Sequence, residues 1–209
     1  MNANPPAKAP LKLLVLQAHP RIRSSVVQQA MLRAIAGLEG VTHVDLYAEY
    51  PAFDIDVARE QERLLAHDII ILQHPFYWYS SPAIIKEWQD LVLENGWAYG
   101  PGGTQLAGRC LMSALSTGGT EAAYQHGGRN RFEIDELLSP FNQTAYLCSM
   151  AYLAPFVIHA GRRMSREDLS AATEAYRDLI VALRDGRLDP LSRLAPGFTL
   201  PPAFAREEA

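Results

Sequence analysis

Several things are scarce in this chain of 209 residues, and each scarcity narrows what it can be. There are two cysteines, Cys110 and Cys148, both inside apolar runs, so buried free thiols are expected rather than a disulfide or a metal pair. Basic residues are not in excess. The 19 Lys and Arg against 23 Asp and Glu leave a net charge of −4, which offers no footprint for a phosphate backbone and makes nucleic acid an unexpected partner. Long apolar runs are missing too: Leu11 to Leu16 is far too short to span a bilayer. The opening MNANPPAKAP lacks the basic, apolar and small-residue order of a signal peptide, so a soluble protein in a reducing cytoplasm is expected.

Catalytic signatures are sparse as well. No GxGxxG fingerprint, P-loop lysine motif or GxSxG elbow is present. The six histidines are scattered, with no HxxxH pair, so metal catalysis has little support. Ser113 and Ser116 lie in or at the end of a strand without a marked partner, and a hydrolase triad is unsupported.

Hydrophobic content of 48% is enough for a substantial core. Its periodicity predicts five strands alternating with helices. Leu11–Gln17, Val41–Leu46, Asp68–Gln73, Arg109–Ser116 and Leu153–Ala160 read as strands, the first and third as runs buried on both faces. Helices are expected from Val26 to Gly40, over Ala58–Ala66, from Pro82 to Gly96, and over Glu136–Met150 with a kink at Pro140. Ser165 and Asp168 open a last one, with a face of Leu169, Ala172, Tyr176, Leu179, Ile180 and Leu183. Residues 1–10 read as a flexible leader, 11–190 as one α/β domain, and 191–209 as an extended, Pro-rich tail. The pattern implies a parallel sheet with helices on both faces.

Ligands of such sheets sit at the carboxyl ends of strands, near the reversal of strand order. That rule selects His19–Gln28, His74–Ser81 and Ser116–Gly128. In the first loop Arg21, Arg23, Ser24 and Ser25 precede a helix, where they either bind an anion such as phosphate or simply cap it. In the second, Phe76-Tyr77-Trp78-Tyr79 cannot all face the core, so they border a flat ligand or form a structural cluster. In the third, Ser116-Thr117-Gly118-Gly119 lets backbone N–H groups approach a ligand, or is a plain turn.

The run Gln73-His74-Pro75-Phe76-Tyr77-Trp78-Tyr79-Ser80-Ser81-Pro82-Ala83-Ile84-Ile85-Lys86-Glu87-Trp88, then Gly96-Trp97-Ala98-Tyr99-Gly100, resembles the signature of the NAD(P)H dehydrogenase (quinone) family. Ala18-His19-Pro20, Thr117-Gly118-Gly119 and Tyr124 agree in order and spacing. Leu46-Tyr47 to Pro51 and Phe53-Asp54-Ile55-Asp56 look like its KefF and KefG subgroup, ancillary to glutathione-gated potassium efflux systems.

The resemblance implies an α/β, flavodoxin-like fold with a five-stranded parallel sheet of order 2-1-3-4-5, FMN (with FAD the alternative), NAD(P)H as co-substrate, quinone reduction and a homodimer. It also implies a membrane potassium efflux transporter as partner, on whose cytoplasmic face the protein would sit. His19 and Ser25-Val26-Val27-Gln28 would hold the flavin's phosphate-bearing tail, although the valines depart from the smaller or amide side chains expected there. Phe76, Tyr77, Trp78 and Tyr79 would border the ring, and Ser116, Thr117, Gly118 and Gly119 would bind its pyrimidine edge. Tyr124, with His126 as a substitute for a family histidine, would stabilise charge on the reduced ring. Trp97 and Tyr99 would serve the neighbouring subunit's pocket. Two alternatives to an enzyme remain open: a regulatory subunit that activates the transporter, and a one-electron carrier, which a charge of only −4 counts against.

Overall fold

The computed structural model describes residues 9–161 and 163–206; most of the leader read over 1–10, and the last three residues, lie outside them. Five parallel strands, β1 (Leu13–Gln17), β2 (Val41–Asp45), β3 (Ile69–Pro75), β4 (Cys110–Ser116) and β5 (Ala151–Ile158), form one sheet of order 2-1-3-4-5, as expected. β1 and β3 are buried at every residue, which is why each opens on a run of four apolar residues rather than an alternating pattern.

Side chains alternate across the sheet into two cores. On one face α1 (Val26–Ile35) and α7 (Arg166–Arg184) cover Leu13, Val15, Ile69 and Ile71. On the other, α3 (Val57–Leu65), α4 (Ala83–Val92) and α6 (Ser139–Leu147) cover Leu14, Leu16, Ile70 and Leu72. Ser165 caps α7 through Asp168 N–H at 3.0 Å, as its spacing announced. The expected face of that helix is buried at Tyr176, Leu179, Ile180 and Leu183.

Four local readings change. Leu46, expected as the last residue of the second strand, instead opens a short helix, α2 (Leu46–Glu49), because the Asp45 carboxylate caps the N–H groups of Tyr47 and Ala48. The single kinked helix expected over 136–150 is two, α5 (Ile134–Leu137) and α6. Proline cannot donate back to a preceding turn, so Pro140 sits in the first turn of a new helix. β5 begins two residues early, its pairing with β4 carrying a bulge between Met112 and Ala114. The tail is not simply extended. It forms a 3-10 turn at Pro190–Arg193, pairs Leu194 with Leu153, and buries Ala195, whose N–H donates to Tyr152 O at 2.9 Å. It thereby covers the outer edge of β5, whose backbone is otherwise open to pairing.

The cysteines are free and buried; burial pushes Cys110 up to about 12 and Cys148 up to about 11, so neither is a reactive thiolate at neutral pH. A charged network lies inside the second core. The buried Glu60 carboxylate accepts from Tyr50 OH at 2.7 Å and Trp88 Nε1 at 2.9 Å, and pairs with Arg63. It ties α3 to α4 and the α2 turn with every oxygen partnered, as burial of a carboxylate requires.

His74, near the end of β3, is fully buried against Phe141. Its Nδ1–H donates to Pro75 O at 2.9 Å, and its Nε2 has no partner. Desolvation holds its pKa down at about 4, so the unfolded chain takes up this proton first. Stability should be full above about pH 6.5 and fall as pH drops towards 4, by up to about 3 kcal/mol from this group. Chemical denaturation of His74→Leu across that window should show a correspondingly smaller loss than the parent.

Candidate functional site

Where β1, β3 and β4 end, their loops enclose two adjoining cavities of about 740 and 480 Å³ that share Phe76 and Gly118. The floor is fixed by the sheet. Phe76 N–H donates to Ser116 O at 2.9 Å and Thr117 N–H to Ile158 O at 2.9 Å, tying the three loops after β3, β4 and β5 together.

The larger cavity takes His19, Ser25, Val26, Val27, Phe76, Tyr77, Ser116, Thr117 and Gly118 from the expected set. Ser25 caps α1 by accepting from Gln28 N–H at 3.3 Å, and the first-turn N–H groups have no intrahelical partner, which suits an anion. His19 Nδ1 accepts from Arg21 N–H at 3.0 Å, which leaves Nε2 to carry the hydrogen towards Tyr77 OH at 3.3 Å. Burial lowers its pKa. Gln28 does not line the cavity. Its side chain is fully buried and spends its amide on Gln73 and Ser116.

Trp78, Tyr79, Gly119 and Tyr124 line the smaller cavity. Trp78 and Tyr79 both have positive φ, 48° and 64°, inside a turn where Ser80 N–H donates to Tyr77 O at 3.0 Å. Two successive left-handed residues make this a hairpin-type turn that ordinarily takes Asn and Gly, and β-carbons there cost about 1–2 kcal/mol each. The turn leaves Trp78 92% exposed at the cavity's rim. Gly118 has nothing within 4 Å of where its Cβ would stand, whereas a Cβ on Gly119 would press on Tyr124 Cε2 at 3.1 Å. The N–H groups of Gly118 and Gly119 find no acceptor among the described residues.

Tyr124 closes a 3-10 turn at Glu121–Tyr124 and is buried against Phe76, ring centroids 5.9 Å apart; burial pushes its phenol up. His126 is not brought to it. Its ring is exposed beside Glu136, 3.4 Å away, and lines neither cavity. The histidine beside Tyr124 is His159, 5.9 Å away by centroid, with Nδ1 3.3 Å from Thr117 Oγ1. It follows β5, a loop that the strand-order rule did not select. That loop also brings Gly161, Met164, Ser165 and Arg166 into the larger cavity, and Arg163 into the smaller one. Ser165 was legible only as a helix cap. Trp97 and Tyr99 lie outside both cavities, partly buried against the α4-side core. No cluster of three His, Cys, Asp or Glu among the described residues could hold a metal.

A cleft at the carboxyl edge of a 2-1-3-4-5 parallel sheet, with a helix N-terminus on one side and aromatic rings on the other, defines a flavodoxin-like protein. The chain matches the flavodoxin-like fold family over residues 11–180 and belongs to it. Among individual proteins it is 43% identical over 171 residues to the glutathione-regulated potassium-efflux system ancillary protein KefG of Enterobacter sp. (strain 638), covering 82% of this chain and 93% of that one. The general stress protein 14 of Treponema denticola, solved in complex with FMN, is 36% identical with a TM-score of 0.79 over 82% of this chain and 99% of that one. An NADPH-quinone reductase from P. pentosaceus is 31% identical with a TM-score of 0.73, over 81% and 98%.

The strained turn makes a prediction that needs no ligand. Trp78→Asn removes no buried surface and suits a positive φ, so it should raise stability by about 1 kcal/mol, or ~2–4 °C in Tm by thermal unfolding.

Proposed function

We propose that the chain is an FMN-dependent oxidoreductase passing two electrons from NAD(P)H to a quinone by a ping-pong route. The observation that carries this reading is the junction of the two cavities at Phe76 and Gly118, with an anion-binding helix end on one side and a rim of aromatic rings on the other. The residues present fit FMN. The α1 N-terminus suits its phosphate, the space over Gly118 admits a flat ring, and the N–H groups of Gly118 and Gly119 are donors without acceptors. FMN, when bound, supplies the hydride-accepting ring. The similarity to an FMN complex and to a quinone reductase supports both the cofactor and the reaction class.

Within this reading, Ser25 and the first-turn N–H groups of α1 hold the phosphate, with His19 and Tyr77 closing over the tail. Phe76 and Tyr79 bound the ring, and Trp78 screens the rim from water. Thr117 to Gly119 and Tyr124 donate to the edge that gains negative charge. The position of His159 favours it over His126 as the histidine that assists Tyr124. Trp97 and Tyr99 would complete the pocket of a partner subunit in a homodimer.

The likeness to KefG supports a second, compatible role as an ancillary protein of a potassium efflux transporter. No helix of the described residues is long and apolar enough to cross a membrane, so attachment to its inner face would run through that partner.

The absorption spectrum of the purified protein tests the cofactor. A yellow protein releasing a compound with the mass of FMN supports the reading, and a colourless one that takes up no added FMN sinks it. In the loaded enzyme, Tyr124→Phe should slow hydride transfer by roughly tenfold or less, one hydrogen bond's worth, in stopped-flow reduction. An unchanged rate removes Tyr124 from the reaction.

A further inference from the structure

A buried row of hydroxyls and amides runs under the larger cavity, on the α1–α7 face of the sheet. Tyr176 of α7 donates its hydroxyl hydrogen to Gln73 Oε1 at 3.0 Å. Gln73 Nε2 donates to Gln28 Oε1 at 3.1 Å, and Gln28 Nε2 donates to Ser116 Oγ at 2.9 Å. Tyr176, Gln73 and Gln28 are each fully buried. Ser116 alone is partly exposed, and it lines the cavity.

All of these bonds point the same way. A phenol has one hydrogen, and Tyr176 commits it to the carbonyl end of Gln73, which turns the Gln73 NH2 towards Gln28. Gln28 must then present its own carbonyl to Gln73 and its NH2 to Ser116. Ser116 Oγ receives a hydrogen and keeps its own, the hydrogen that the row leaves over at the cavity wall. In a low-dielectric interior, hydrogen bonds in a row polarise one another, so each strengthens the next. Gln17 shows that membership is specific. It stands beside Gln73 in register and is fully buried, yet both its amide atoms are without partners.

We propose that Tyr176, acting through Gln73 and Gln28, sets Ser116 as a hydrogen-bond donor into the cavity, aimed at an acceptor atom or developing negative charge on the bound flavin. This rests on the flavin reading above. Tyr176 lines neither cavity and is a positioning residue. The arrangement favours a ring edge that accepts a hydrogen bond and disfavours one that presents an N–H or O–H to Ser116.

The test is FMN titration by fluorescence quenching, with the midpoint potential of bound FMN, on Ser116→Ala, Tyr176→Phe and the double variant. Ser116→Ala should weaken FMN roughly two- to tenfold, the net worth of one hydrogen bond. Tyr176→Phe should weaken it about twofold through the row. Both should lower the potential, because a lost donor disfavours the anionic reduced ring, and the double variant should match Ser116→Ala. Gln17→Leu, a buried amide on the same face outside the row, should change neither quantity. An additive double variant, an unmoved potential in Tyr176→Phe, or an equal effect of Gln17→Leu overturns the proposal. The side-chain amide resonances of Gln28 and Gln73 read the row without flavin, and both should shift in Tyr176→Phe. Unshifted amides in a protein that binds FMN overturn the row alone. A parent protein that takes up no FMN overturns the flavin reading and with it the assigned ligand.

Discussion

The parallel pairing of β1 with β3 and of β3 with β4 is the constraint on which the site depends. The strands run in register as far as Gln17 beside Gln73 and Pro75 beside Ser116, so their following loops leave the sheet together. Parallel strands put all their carboxyl ends on one edge, and the order 2-1-3-4-5 sends neighbouring connections to opposite faces there, opening a cleft. Burial of β1 and β3 on both faces makes this register hard to shift, because a slip would move Gln17, Gln73 or His74 into the wrong core.

On that frame the cleft is built by breaking local rules. Trp78 and Tyr79 take backbone conformations that suit Asn and Gly, in a turn closed by Ser80 N–H on Tyr77 O and tied by Tyr79 OH to Asn130 Oδ1 at 3.4 Å. Gln28 and Gln73 occupy core positions where apolar side chains would pack more simply. They are tolerable because each amide finds a partner and the row ends at the cavity wall. The same face holds Gln17 without partners, and the opposite face holds His74 with one unpartnered nitrogen. Conflict between local preference and structure is concentrated at the ends of β1 and β3, beside the cleft.

Much of this was legible in the residues. The apolar runs gave β1 and β3, Ser165 with Asp168 gave the start of α7, and the alternation of elements gave the parallel sheet, while its order came with the family resemblance. Three loops of the cleft followed from strand order alone. The loop after β5 was missed because the signal of Ser165 and its neighbours is shared with any helix start, and nothing local tells a cap from a cavity wall. His126 stood in for a family histidine because it shares the loop of Tyr124, and His159 was not considered for that role. The structure brings His159 to Tyr124 from 35 residues further along, through a crossover that proximity in sequence does not register.

By itself, then, the sequence determined the elements and their class, because hydrophobic period, caps and breakers act over a few residues. It also carried the family, through aromatic and glycine motifs set at the ends of strands. Only the tertiary structure decided which side chains meet. Gln28 turned from a ligand contact into a buried link, Tyr176 from one more apolar face position into the anchor of a polar row, and the tail from an extended appendage into the cover of an edge strand. Each of these rests on contacts between residues far apart in the chain. Their energies arise only once the sheet has brought the segments together.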